Sequence, residues 1–378
     1  MNIKIDKKDD IILKILHYFI TEEDYKPIII NGVDGEIWLE NMQSDLKLIR
    51  INSNYIHNEE QLKSDTFKAK AIMKSIKKST LSIKMNMLNL LMDAGETVKI
   101  TNNKNIETIK VEQIEDFKKN KVVEEFFPKV KEAVLTNEMD PTEFFKLTED
   151  MNQTTIKNEK KLAKIFSPKK PIITYILIVL NVMIFLYTML YDQNDRLFYN
   201  FANNYIYVQN GELYRLLTSM FLHSDIMHIA FNMYALYLLG PIVERYYGKG
   251  KFVLIYFISG ILGNLFSCVF MSSNTFGIGA SGAIFGLLGS IAYFTYYYRA
   301  TLQGLLRGQI LPVILLNLCL GLIIPSIDLS AHIGGLIGGI LISMAIGIGD
   351  KGRKNDQING IIVVTAMIGF MLYMTLNK

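Results

Sequence analysis

Apolar positions are spread very unevenly along this chain. From residue 171 onward they form long uncharged runs separated by short polar breaks. The first, 172–191, carries no charge and as a helix spans about 30 Å, enough to cross a bilayer. Further runs at roughly 228–243, 252–271, 281–298, 309–325, 329–349 and 359–376 bring the expected number of membrane spans to seven. The second and fifth are short.

Before residue 171 the pattern is mixed. Residues 8–20 have the 3.6-residue spacing of an amphipathic helix. Residues 27–31, 36–40 and 45–51 read as strands, with Gly32-Val33-Asp34-Gly35 as a turn. Helices are expected over 59–78 and 81–93, a strand over 106–111 and a helix over 112–120. Asp140-Pro141 marks another helix start. The expected organisation is a small soluble α/β or α+β domain over 1–125 and a basic helical linker over 126–170. A six-helix membrane core follows over 171–349, then a loop and a seventh helix over 350–378.

Charge supports this division. Of the 76 Lys, Arg, Asp and Glu residues, 57 lie in the first 170 positions. The net charge of +4 has no single-sign cluster that suggests nucleic acid. Asp6, Asp9 and Asp10 argue against a transit peptide, and no small-residue cleavage site follows the first apolar stretch. The two cysteines, Cys268 and Cys319, sit in apolar runs and indicate no disulfide framework. Lys157 to Lys170, Arg245 to Lys251, Arg299 with Arg307, and Lys351 to Lys354 all fall on one side of seven spans. The opposite loops hold Asp192, Asp195, Arg196, Glu212, Arg215, Asp225 and Asp328, which are mostly acidic. The positive-inside rule therefore places the N-terminal domain in the cytoplasm, the C-terminus outside, and the basic stretch 157–170 at the inner membrane surface.

Three of the five histidines, His223, His228 and His332, lie in the membrane half, where ionisable side chains are costly and usually functional. Spans two, four and six run from outside to inside. They bring His228, Ser281 and His332 to one depth below the outer surface. Asn232, four residues after His228, shares its helix face with an offset of about 40°. His223, five residues before His228, is expected about 140° away on the same helix; a helical pair at that spacing does not chelate one metal and no HExxH follows, so no zinc site is expected. Ser281 opens span four after Gly277 and Gly279; helix-opening N–H groups are suited to an oxyanion. Small-residue strips, Gly282 with Gly286, and Gly334, Gly335, Gly338 and Gly339, would let spans four and six approach closely and set Ser281 against His332.

The GxSG at 279–282, AHIGG at 331–335 and HxxxxHxxxN at 223–232 resemble the rhomboid intramembrane serine proteases. The resemblance covers about 171–349. Tyr214-Arg215 resembles that family's Trp-Arg pair, with tyrosine as the departure, and Glu244 its inner-end glutamate. The seventh span resembles bacterial members with one helix added after the six-helix core. The resemblance implies a serine endopeptidase that cuts transmembrane segments of membrane proteins near the outer face, without a cofactor. Ser281 would be the nucleophile and His332 its base. His228, Asn232 and the Ser281 N–H would hold the oxyanion, and Phe285 would lie against His332. Gly279 would shape the site. His223, Arg215 and Glu244 would be supporting residues, and Asp328 a candidate to orient His332.

Other readings are a non-catalytic rhomboid-like scaffold that binds membrane proteins, or a transporter, which would need polar residues along a midplane path and inverted repeats. Residues 347–350, GIGD, are similar to the motif of intramembrane aspartyl proteases. The nearest partner, Asp192, lies at the opposite end of the membrane, so no dyad can form. Asp34, Glu36 and Glu40 could mimic part of a nuclease-like or metal-binding site, but alternating charge on a solvated strand is the commoner explanation.

Overall fold

The structure, a computed structural model, describes residues 6–100, 102–132, 141–166, 170–192, 195–272, 275–299, 301–302, 304–324, 327–348 and 354–377. Asp140 and Asp350 lie outside these. The chain divides into two compact units, Met1–Lys164 and Ile165–Lys378.

The first unit is built on a five-stranded sheet in sequence order: β1 (Lys26–Ile28), β2 (Glu36–Glu40), β3 (Leu48–Asn52), β4 (Met87–Leu91) and β5 (Ile106–Lys110). β1–β2–β3 are antiparallel, and β3–β4–β5 are parallel. α1 (Lys7–Thr21) precedes the sheet, and α2 (Glu59–Ser79) makes the crossover from β3 to β4. α3 (Ile114–Lys118), α4 (Lys121–Phe126) and α5 (Pro141–Phe166) follow. One core joins α1, α3 and α4 residues, including Ile15, Phe19, Phe117 and Val123, to Leu39, Ile49, Ile51, Leu88 and Leu90 of the sheet. A second joins Ala69 and Met73 of α2 to Trp38, Leu48, Met87 and Ile106.

The expected helix over 81–93 is corrected: its second half is β4. All five residues of Met87–Leu91 are buried, because both faces of the sheet are covered. A strand of that kind lacks polar alternation and reads like a buried helix. The minor alternative of an acidic site at Asp34, Glu36 and Glu40 finds no support either. Glu36 accepts from the Trp38 indole at 2.9 Å and from Arg50 Nε at 2.6 Å. Arg50, fully buried, also donates to Asp65 and to Asn89. No group of three metal-ligating side chains occurs among the described residues.

The second unit is helical: α6 (Ile173–Tyr191), the short helices α7 (Arg196–Phe201), α8 (Tyr205–Gln209) and α9 (Arg215–Thr218), then α10 (Ile226–Tyr247), α11 (Lys249–Phe270), α12 (Ser281–Tyr297), α13 (Leu311–Ile323), α14 (Leu329–Ile346) and α15 (Lys354–Leu376). Six helices, with α13 extended back to Leu306, have the length and apolar composition to cross a membrane. α12, at 17 residues, is about 25 Å long. The protein is a multi-pass membrane protein. The fifth span starts earlier than expected, through a π-helical turn at Leu306–Ile310 that takes in Arg307, whose charge had bounded the apolar run.

α11, α12 and α14 form the centre, and glycine allows it. A Cβ on Gly335 would lie 2.8 Å from the Gly282 carbonyl carbon. One on Gly339 would lie 2.6 Å from that of Gly286, and one on Gly338 would lie 3.1 Å from Ser259 Cα. The α12 and α14 backbones touch, as the small-residue strips require. α6, α13 and α15 are mostly uncovered, as lipid-facing helices are.

Candidate active site

Each candidate residue is held by a local device. Asp225 caps α10: its Oδ1 accepts the His228 N–H at 2.9 Å. One turn on, Asn232, 7% exposed, donates from Nδ2 to the His228 carbonyl at 3.1 Å and keeps its second amide hydrogen. Asp328 caps α14 by accepting the Ala331 N–H at 2.9 Å, just before His332.

Ser281 opens α12 and is partly exposed. The preceding loop is tied down at Gly279, whose N–H donates to the Ser219 carbonyl at 2.9 Å and whose φ of +109° suits only glycine. Gly279 also needs the space. A Cβ there would sit 2.7 Å from His228 Nε2 and 3.7 Å from Asn232 Nδ2. His228 and Asn232 therefore converge on the loop two residues before Ser281.

His332 arrives from α14. Its ring, 7% exposed, stacks on Phe285 with centroids 4.0 Å apart and planes at 16°. Phe285 is one turn beyond Ser281 on the same helix. Gly282, next to Ser281, lies against Ala331, next to His332: a Cβ on Gly282 would meet the Ala331 carbonyl oxygen at 3.5 Å. Ser281 and His332 are thus neighbours across the α12–α14 seam. His332 Nδ1 is buried and has no hydrogen-bond partner among the described residues. Asp328 uses Oδ1 for the helix cap and is not a hydrogen-bond partner of Nδ1.

The other candidates separate into near and far. His223 precedes α10, because the helix begins only at Ile226. Its ring is therefore 5.0 Å from that of His228, not turned away along a shared helix. It is 8% exposed and neither ring nitrogen has a partner of good hydrogen-bond geometry among the described residues. Burial, then the neighbouring His228, push its pKa down to about 4. Arg215, 3% exposed, donates to the Tyr199 and Ala202 carbonyls and to Glu212, and lies 4.3 Å from the Tyr207 ring centroid. It staples the loop over α7–α9. Glu244 is 16 residues along α10 from His228, about 24 Å away. There it caps α6, accepting from the N–H groups of Ile172, Ile173 and Thr174 and the Thr174 hydroxyl. It anchors two helices and takes no part in the site.

Sequence reasoning missed the residues that hold the Ser281 loop. Asn203 and Gly277 exchange N–H···O bonds, Asn204 Nδ2 donates to the Thr275 carbonyl, and Asn203 Nδ2 donates to that of Asn264. Asn264 donates in turn to the Leu216 carbonyl and the Ser219 hydroxyl. The signal was present in Asn264, an amide inside an apolar span.

Residues 210–348 match the family profile described as the Rhomboid domain. The putative rhomboid protease YdcA of Bacillus subtilis (strain 168) is 37% identical over 135 residues, covering 35% of this chain and 67% of YdcA. This chain belongs to the rhomboid family. The rhomboid protease GluP of the same organism is 31% identical over 218 residues, 57% of this chain and 43% of GluP. The rhomboid match thus spans less than half of GluP's length. An Arabidopsis thaliana relative, 39% identical over 83 residues (22% of this chain, 23% of the relative), is named inactive RHOMBOID-like protein 8.

Proposed function

We propose that this rhomboid family member is an intramembrane serine endopeptidase that cuts transmembrane segments of membrane proteins near the outer face. The observation that carries the reading is the α12–α14 seam. There Phe285, one turn beyond Ser281, stacks on His332, and Gly282 lies against Ala331, which favours a hydroxyl and an imidazole from two helices acting together. Ser281 Oγ attacks the scissile carbonyl. His332 Nε2 takes its proton and gives it to the leaving amine, and water then releases the acyl group by the same route. The tetrahedral oxyanion is held by His228, Asn232 and the Ser281 N–H. With no carboxylate on Nδ1, the imidazolium formed in the transition state is supported by the Phe285 face. The substrate must unwind locally, since a helical peptide bond hides its carbonyl. Charge bias puts the N-terminal unit in the cytoplasm and the C-terminus outside. The residues named supply the chemistry without a cofactor.

The protease names of GluP and YdcA favour this reading. The inactive relative favours a second one, a non-catalytic scaffold that binds membrane proteins. Co-expression with a single-span substrate separates them. Wild type cleaves, whereas Ser281→Ala and His332→Ala do not, and a fluorophosphonate labels wild type but not Ser281→Ala. Cleavage that persists in both variants removes the mechanism. A wild type that binds the substrate but neither cleaves nor takes the label supports the scaffold.

A further inference from the structure

The outward face of α2, in the first unit, is basic. Lys63, Phe67, Lys70, Lys74, Lys77 and Lys78 fall within about 100° of arc on this helix, turned away from Leu62, Ala69 and Met73, which pack into the unit. Lys77 is half-buried and the other five are exposed. Elsewhere in the unit lysines find carboxylates: Lys8 with Asp93, Lys14 with Asp10, Lys110 with Glu112 and Lys131 with Glu124. None of the five lysines on this face has an ion pair among the described residues. The carboxylates of α2 are placed apart from them. Glu59 and Glu60 sit in the first turn, and Asp65 is bound to Arg50. Residues 66–92 hold six lysines and no Asp or Glu at all.

Two large apolar side chains stand uncovered in this basic stretch. Phe67 is 74% exposed in the middle of the lysine face. Ile83, beside the exposed Lys84, is 86% exposed just past the helix end. We infer that this face of the first unit docks on an anionic phospholipid surface. The ammonium groups meet headgroup phosphates, while Phe67 and Ile83 enter the boundary between headgroups and acyl chains. Three observations choose lipid over an acidic protein or a nucleic acid. Every cation in 66–92 is a lysine, a point charge on a flexible stem that can follow a fluid array of phosphates. A partner with fixed anionic groups is better gripped by the bidentate fork of arginine. The chain is itself a multi-pass membrane protein, so covalent linkage keeps a bilayer within reach of this unit at high effective concentration. On the cytoplasmic side, where the charge bias puts the unit, the leaflet is anionic. The proposal does not depend on the protease reading.

The test uses the full chain in lipid nanodiscs, made of phosphatidylcholine alone or with about one-third phosphatidylglycerol. Phe67→Trp places an indole on the face, and the native Trp38, 2% exposed, gives a constant background. Lipids brominated along the acyl chain quench an indole that reaches the bilayer. Emission from position 67 falls about twofold in anionic discs and recovers at high salt, which screens charge contacts. In the Phe67→Trp background, Lys70→Gln/Lys74→Gln/Lys77→Gln/Lys78→Gln abolishes the quenching. Lys99→Gln/Lys104→Gln, at exposed lysines outside α2, leaves it intact. Hydrogen-exchange protection of β3 and β4 equal to that of the parent shows that each variant is folded. If the fourfold variant loses that protection, the salt titration and the lipid comparison decide alone. Equal quenching in both kinds of disc, quenching that survives high salt, or no quenching in anionic discs overturns the proposal. Polyglutamate or duplex DNA that shifts the position-67 emission, where anionic discs do not quench it, assigns the face to that polymer instead.

Discussion

Gly335→Ala tests whether the closeness of α12 and α14 is what assembles the site. Gly335 lies three residues after His332, and its partner, Gly282, follows Ser281 directly. A Cβ on Gly335 would be 2.8 Å from the Gly282 carbonyl carbon and 3.1 Å from its Cα. Carbon atoms in comfortable contact stand about 3.5–4.0 Å apart. The neighbours are backbone on both sides and cannot swing away, so the helices must part by about 1 Å. A misplacement of that size between reacting groups costs about 100-fold in rate. Overpacking costs about 1–3 kcal/mol in stability, which a membrane bundle of this size can survive. The assay is turnover of a single-span substrate, run beside thermal unfolding and fluorophosphonate labelling. The comparison is Gly369→Ala on α15, where a Cβ meets nothing within 4 Å and activity stays at the wild-type level. A folded Gly335→Ala that turns over substrate within twofold of wild type would refute the claim that this seam sets the geometry.

Other outcomes follow from the same structure. His223 has a folded pKa of about 4 against about 6.5 in the unfolded chain. The unfolded chain therefore binds the extra proton first as pH falls. Stability is full above about pH 6.5 and is lost progressively toward pH 4, by about 2 kcal/mol at pH 5. His223→Gln abolishes that component of the melting profile between pH 7 and 5, and an unchanged profile would contradict it. Glu244→Ala leaves three N–H groups of α6 uncapped and lowers stability by about 2–3 kcal/mol. Its effect on kcat in the protein that remains folded is small, because it sits about 24 Å from His228. In the first unit, Arg50→Ala strands the Glu36 and Asp65 carboxylates and costs about 3–5 kcal/mol, read as lost hydrogen-exchange protection in β3 of the full chain. Protection equal to wild type would show that the pair is not a buried ion network.

Much of the soluble unit was legible because its elements carry local signals. α1, β2 and α2 fall within a residue or so of their expected limits, since each has a clear period and a turn or cap at its ends. β4 did not, because a strand buried on both faces has no period to read. The site shows the same division. Ser281, His332, His228 and Asn232 stood out as polar residues in apolar runs. The asparagine ties from Asn203, Asn204 and Asn264 did not, because a backbone carbonyl partner leaves no mark in sequence. Glu244 stood out as a motif residue at the inner end of its span, but the three backbone N–H groups before and in α6 that it accepts from left no mark in sequence.

Sequence by itself determined that the second half is a bundle of membrane spans, and which polar groups lie near one end of three of them. Hydrophobic run length and the cost of a buried charge are properties of single segments, so they can be read one segment at a time. Only the tertiary structure decided which of those groups meet. It set the His223 ring beside that of His228, tied the Ser281 loop through Asn203, Asn204 and Asn264, and made helix caps of Asp328 and Glu244. Those outcomes depend on ångström-scale contacts between backbones distant in sequence, which the missing side chains of Gly282, Gly335 and Gly339 permit and no local pattern encodes.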